Sequence, residues 1–373
     1  ELKSKIKNED NSVPKKDGDY FYGYKYNKNS EYPIYYRKNT TNNSEEIILD
    51  CEKKSKLHSY FNVGSISHSH DHKYIAYNID TNGSEYFSIY IENIETKEIL
   101  GSEIKNTTGN IIWSLDNNYI FYVRLDQNHR PTKVFRHKIG THDVNDLLIY
   151  EEKDPSFFCS LSLSKTKKYL FIRTADHETS EYLFINLKIN ETKPTLFKKR
   201  EKKIEYDLEH HENFFLIQTN INDAKNFKIM KSHKQSFLKW EEFIPYKKIN
   251  LILDFILLKD WLVRLERTEG SENIISEDSS DFSALDEIEN TKQPEIKKTM
   301  LARDSDIDDA FDDSGSNIPE FGSESSSSEV ISIAKNNGLD FLGVTDHDNH
   351  VDGDLAGNTW SDPDYKSDDE LLV

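Results

Sequence analysis

Five short bursts of aromatic and β-branched residues recur along the chain: Lys73-Tyr74-Ile75-Ala76-Tyr77, Asn118-Tyr119-Ile120-Phe121-Tyr122, Lys168-Tyr169-Leu170-Phe171-Ile172, Asn213-Phe214-Phe215-Leu216-Ile217 and Asp260-Trp261-Leu262-Val263. Each leaves a polar turn such as His70-Asp71-His72 or Leu115-Asp116-Asn117, the pattern of a strand emerging from a tight turn. They start at 73, 118, 168, 213 and 260, with an earlier copy at Asp19-Tyr20-Phe21-Tyr22. A period of roughly 45 residues with only strand-like content inside it predicts the four-stranded blades of a β-propeller, because a single blade cannot bury both its faces alone. The expected fold class is therefore mainly β.

Within each period further strands are legible. Tyr20–Tyr26 alternates strongly and is followed by Tyr32–Arg37 and Ile47–Leu49; Tyr86–Ile91 follows the turn Thr81-Asn82-Gly83; Lys133–His137 and Leu147–Tyr150 complete another unit. Hairpin turns of this kind fix strand register. The pattern divides the chain into a charged connecting arm at 1–17, a propeller of about five blades and the beginning of another at 18–269, an acidic, Ser-rich linker at 270–325, and an α/β fragment at 326–373. The linker has no periodic apolar face, so burial cannot offset its ordering entropy, and it is expected to be disordered. In the fragment, Ser326–Glu329 forms a capping box, Val330–Ala334 a short helical face, Asn337-Gly338 a stop and Phe341–Val344 a buried strand.

Charge sharpens this division. Residues 270–373 hold 27 Asp and Glu against 6 Lys and Arg, which leaves residues 1–269 nearly neutral, with 40 acidic and 42 basic residues. The formal charge of −19 thus belongs to the C-terminal part and says nothing about partners of the propeller. Lys53–Lys56 and Lys198–Lys203 are basic runs in a near-neutral domain, so nucleic acid is not an expected partner. Two cysteines, Cys51 and Cys159, are too few for a disulfide framework and suit a reducing compartment. The longest apolar run, Leu251 to Val263, is cut by Asp254, Lys259 and Asp260 and is too short to span a bilayer. The chain is therefore expected to be soluble and cytoplasmic, and to lack its natural N-terminus.

Candidate chemistry is sparse. His68, His70 and His72, at spacing two, would share a strand face able to grip zinc or copper, but they lead into a turn where polar residues are expected, and the turn reading is favoured. His210-His211 is weighed the same way. The acidic run Asp304–Asp313 lacks the Gly and closing Glu of a calcium loop and reads as a solvated segment. Asp346, His347, Asp348, His350, Asp352 and Asp354 form a dense cluster at a strand end, where α/β folds place their sites.

Several stretches, in order, carry a resemblance: Glu31–Arg37, Trp113–Asn117, Arg130-Pro131 with Arg136–Thr141, Leu148–Asp154, and Thr219–Phe227. Residues of about 1–269 resemble the N-terminal arm and propeller of oligopeptidase B, in the prolyl oligopeptidase family of serine peptidases. That resemblance implies a seven-bladed propeller that covers an α/β-hydrolase domain and admits only short peptides, with cleavage after basic residues. None of the 14 glycines has a serine two positions on, so the Gly-x-Ser-x-Gly elbow of such a hydrolase is missing. No catalytic residue is assigned, and the chain alone is expected not to hydrolyse peptides. Peptides are expected partners only where a hydrolase domain is supplied, and the open propeller edges are expected to promote self-association.

Glu329–Asn349, with Thr345-Asp346-His347-Asp348, is similar to the second motif of the PHP family of metal-dependent phosphoesterases. This implies His347, beside Asp346, as a ligand for a divalent metal. No histidine lies in 311–325, where that family's His-x-His falls, so the chain alone is not expected to assemble a metal centre. A phosphoesterase remnant and a plain interaction scaffold are the alternative functions.

Overall fold

The computed structural model describes residues 11–278, apart from 29, 190, 213, 259 and 260, together with 300–301. Its strands form six successive antiparallel units. Blade 1 is β1 (Lys15–Asp17), β2 (Tyr20–Lys25), β3 (Ile34–Asn39) and β4 (Glu45–Asp50). The one α-helical turn among the described residues, α1 (Cys51–Ser55), is capped by the Asp50 carboxylate and leads to blade 2: β5 (Asn62–His68), β6 (Tyr74–Asp80), β7 (Phe87–Asn93) and a bridge between Glu92 and Ile99. Blade 3 is β8 (Ile104–Trp113), β9 (Tyr119–Leu125), β10 (Pro131–Lys138) and β11 (Leu147–Glu151). Blades 2 and 3 merge into one seven-stranded sheet, because the ten-residue β8 pairs first with β7, at Ile89↔Ile104, and then with β9, at Ile112↔Phe121. Blade 4 is β12 (Phe158–Leu163), β13 (Tyr169–Ala175), β14 (Ser180–Asn186) and β15 (Thr195–Lys198); blade 5 is β16 (Tyr206–His211), β17 (Phe214–Thr219), β18 (Lys228–His233) and β19 (Glu241–Ile244). Blade 6 is β20 (Asn250–Leu257), β21 (Trp261–Thr268), β22 (Ser271–Asp278) and β23 (Met300–Leu301).

The recurrent bursts are the second strands β6, β9, β13, β17 and β21. Their uninterrupted apolar character has a direct cause: both faces are buried, each against a different neighbouring blade. Ile120 and Tyr122 join blade 2 through Ala76, Ile89 and Ile91, whereas Phe121 and Val123 join blade 4 through Leu161, Leu170 and Ile172. Tyr169 and Phe171, on the other face of β13, pack with Tyr206, Phe215 and Ile217 of blade 5, and Phe214 and Leu216 then pack with Ile252, Phe255 and Leu262 of blade 6. Blade 1 enters the series through Ile48, Leu49 and Cys51 against Ile75, Tyr77 and Ile79. The core is therefore a chain of five inter-blade clusters. A sixth, Val263 with Ile256, Leu258, Trp261 and Ile274, is drawn from blade 6 alone.

Two expected boundaries shift. The propeller does not stop at 269, because Glu269 (φ 51°) and Gly270 (φ 87°) form a two-residue hairpin turn with both central residues left-handed, and β22 pairs with β21 from Thr268↔Ser271 to Trp261↔Asp278. Blade 6 thus has four strands where only a beginning was expected, and the first residues assigned to the linker are ladder residues. At the other end, the last three residues of the expected arm are β1, paired with β2 at Asp17↔Tyr20. Residues 279–299 and 302–325 of the expected linker and the whole 326–373 fragment lie outside the described residues.

Two substitutions separate the inter-blade clusters from the rim. Leu170→Ala, at a site with 0% exposure, is expected to cost about 2–5 kcal/mol of unfolding free energy. Leu196→Ala, in the last strand of the same blade at 41% exposure, is expected to change it by about 0.5 kcal/mol or less. Urea unfolding followed by circular dichroism measures both.

Candidate functional site

The turns joining first to second strands in blades 2, 3 and 4 are built alike. In three successive blades a serine closes the turn. The backbone N–H groups of Tyr74, Tyr119 and Tyr169 donate to Ser69, Ser114 and Ser164 Oγ, each at 3.0 Å. Ser69 and Ser114 in turn donate to Asp71 (2.6 Å) and Asp116 (2.5 Å), while Ser164 shares a proton with Thr166 at 3.2 Å. The residue before the last of each turn is left-handed: His72 (φ 60°), Asn117 (φ 58°) and Lys167 (φ 55°). Ser-x-Asp/Thr-x-x-Tyr is thus a repeated signature, carried by polar residues that a search for hydrophobic periods passes over.

These inner turns are tied to one another. His70 N–H donates to Asn117 Oδ1 at 2.7 Å, and Lys165 N–H to Glu209 Oε1 at 2.9 Å. Thr166 Oγ1 and His210 Nδ1 lie 2.7 Å apart. Tyr22 hydroxyl meets His72 Nδ1 at 2.8 Å and its ring stacks on His68 at 3.9 Å. Gly18 has φ 55° and sits so close under His72 that a β-carbon there would be 2.6 Å from Nε2. The histidines singled out in the sequence are therefore turn and stacking residues. Among the described residues no three His, Cys, Asp or Glu side chains are grouped to hold a metal ion. His347 and Asp346, with the Asp348–Asp354 cluster and the Asp304–Asp313 run, lie outside the described residues.

Burial sets the charge of these groups. It pushes the His68 and His70 imidazoles below the usual range, and holds His210 at about 3, with Lys168 and Lys234 adding to the effect. It raises the Glu209 carboxyl to about 7, despite the two backbone N–H groups that favour its ionised form. Deeper along the inner wall, Asn78 donates to Ser65 Oγ at 2.8 Å and to the Gly109 carbonyl, and Asn110 donates to the Leu161 carbonyl at 2.6 Å, which links blades 2, 3 and 4. Further out, Arg200 bridges Glu152 (2.8 Å) and Glu181 (3.5 Å) over the Phe157 ring. None of these ties was expected from sequence; the one signal was the polar Asn78 directly after the burst Lys73–Tyr77.

Chemistry for bond cleavage is not assembled among the described residues. The buried pair His137 Nδ1–Asp146 Oδ1 (2.7 Å), which Tyr122 hydroxyl joins at 2.8 Å, leaves His137 Nε2 without a hydroxyl or thiol to activate. Burial pushes the Cys51 and Cys159 thiols up to about 12, far from a reactive thiolate. Members of the basic runs have partners within the chain: Lys54 pairs with Glu92 (3.5 Å), Lys198 covers the Trp240 ring and Lys203 faces Glu178 (3.9 Å). No helix among the described residues is long and apolar enough to cross a membrane.

Comparison with known proteins agrees with this geometry. The profile of the prolyl oligopeptidase N-terminal β-propeller domain matches residues 1–300. The chain belongs to this family. Its match also extends the propeller past 269, as β22 and β23 do. Among relatives of this propeller, "Protease 2" of Moraxella lacunata is 29% identical over 266 residues, 69% of this chain and 38% of that protein. "Dipeptidyl aminopeptidase BI" of Pseudoxanthomonas mexicana is 28% identical over 309 residues, covering 77% and 43%. The structure of oligopeptidase B from Leishmania major superimposes with a TM-score of 0.71 at 25% identity, over 74% of this chain and 40% of that one. The chain thus spans about two fifths of the length of these relatives.

The opposed shifts at Glu209 and His210 give a pH test. Glu209 is raised from 4.5 to about 7, so its stabilising contribution is complete below 4.5 and is lost as pH rises through 7. His210 is lowered from 6.5 to about 3, so its contribution is complete above 6.5 and is lost as pH falls towards 3. Glu209→Gln keeps an acceptor for the Lys165 N–H and cannot ionise. It is expected to gain about 3 kcal/mol on the parent between pH 5 and pH 8, as read from urea midpoints at the two pH values.

Proposed function

We propose that this chain is the substrate-gating propeller of an oligopeptidase-B-type serine peptidase that cleaves short peptides after basic residues, and that the hydrolytic Ser, Asp and His are supplied by a portion outside its sequence. The observation that carries this reading is the family match across residues 1–300, joined to the likeness to protease 2 and oligopeptidase B. The fold supports this role. Side chains of the inner strands are spent on inter-blade ties, so the domain restricts access by its shape and contributes no reacting group. A folded protein is too bulky to pass between blades held together by five apolar clusters, while a short extended peptide needs no such passage.

The test is length discrimination. The hydrolase portion of the Moraxella lacunata relative is assayed alone and joined behind this chain, with an arginyl chromogenic peptide, a prolyl one and denatured casein. The expected outcome is that the joined enzyme retains cleavage after arginine in excess of proline and loses at least tenfold of its casein activity. Equal casein activity with and without the propeller overturns gating, and preference for the prolyl peptide overturns the specificity.

A further inference from the structure

Among the described residues, an ion pair joins the inner ends of two blades that are not neighbours in the series. Asp17 ends β1 in blade 1, and Lys167 stands in the inner turn of blade 4, 150 residues on; Lys167 Nζ lies 3.5 Å from Asp17 Oδ2. The same oxygen is 3.6 Å from Nε2 of His68, on the adjacent blade 2. One carboxylate oxygen is thus shared between a partner across the mouth of the channel and a partner beside it.

The tautomer of His68 makes that sharing conditional. Its Nδ1 lies 3.1 Å from the Ser69 carbonyl, which can only accept, so in the neutral ring Nδ1 carries the proton and Nε2 turns a lone pair towards Asp17. A proton taken up at Nε2 converts that contact into a charge-assisted hydrogen bond. The remaining groups facing the pair are Tyr22, stacked on His68; Tyr20 beneath the Arg37 guanidinium at 4.4 Å; His70 and His72 of the blade 2 turn; and Asp71 with Lys73, which pair with each other at 3.5 Å. Of these, His70 is the further group that burial holds neutral and that acidification would charge near Lys167. The Asp17–Lys167 pair itself is weak, since Lys167 is 50% and Asp17 38% exposed, and one added charge suffices to displace it.

We propose that Asp17, His68 and Lys167 form a proton-operated latch across the channel mouth: it ties blade 1 to blade 4 while His68 is neutral, and it opens when a proton on His68 Nε2 commits Asp17 to blade 2 and repels Lys167. Because burial holds His68 below the usual imidazole range, the latch is closed at neutral pH and opens on acidification.

The test is a spin–spin distance measurement on the full chain, with nitroxides at Asp19→Cys in blade 1 and Lys188→Cys in blade 4. Both positions are exposed, whereas Cys51 and Cys159 are 0% and 4% exposed and stay unlabelled. Between pH 8 and pH 5.5 the population at longer distance is expected to rise severalfold. In Lys167→Met it is present at both pH values. In His68→Gln, which keeps a donor for the Ser69 carbonyl and cannot charge, it is absent at both. Identical distributions at the two pH values in the parent overturn the latch, and so does a pH response that survives in His68→Gln.

Discussion

The second strand of each blade is buried on both faces, and most of the architecture follows from that requirement. A strand exposed on one face can alternate polar and apolar residues, but one caught between two neighbouring sheets cannot, so β6, β9, β13 and β17 are almost wholly buried. Each of the large residues they bury contributes about 1.5–3 kcal/mol relative to exposure, and none can do so within its own blade. Stability therefore belongs to the interfaces. The same logic explains why the core divides into clusters that each span two blades instead of one centre.

Apolar packing alone does not fix how blades are rotated against one another, and here the polar ties matter. Asn78 reaching Ser65 and the Gly109 carbonyl, Asn110 reaching the Leu161 carbonyl, and Arg200 held between Glu152 and Glu181 are directional contacts at defined points on successive blades. An unmade hydrogen bond at a buried site such as Asn78 (0% exposed) costs more than a made one contributes, so the arrangement that satisfies these groups is selected over slipped alternatives. Gly109, at φ 101° and with the Asn78 amide 3.0 Å from where a β-carbon would stand, shows how closely the inner strands approach one another.

The inner turns are where architecture meets function. Their serines, left-handed residues and histidines close each hairpin and simultaneously touch the next blade, so one end of the channel is lined by groups whose charge depends on burial. Under the gating role proposed above, the rigidity of these interfaces and the state of such turns would set which molecules pass.

The aromatic bursts made the fold legible in the sequence because two-sided burial leaves an uninterrupted apolar run, and a period of about 45 residues has few structural meanings. The stretches between the bursts likewise carried the resemblance to the family, and the match over residues 1–300 bears it out. What the sequence could not reveal was where the repeat ends and what the histidines touch. Ser271–Asp278 is too polar to announce a strand, and becomes β22 only because Glu269-Gly270 turns it back against β21. His68, His70 and His72 show a spacing that fits either a metal face or a turn, and the choice was made by partners far away in the chain: Tyr22, Asn117 and Lys167. Local composition determines most of the strands, β22 excepted. The meeting of residues 44 to 150 positions apart, which the packing of blade on blade imposes, decides what those strands present.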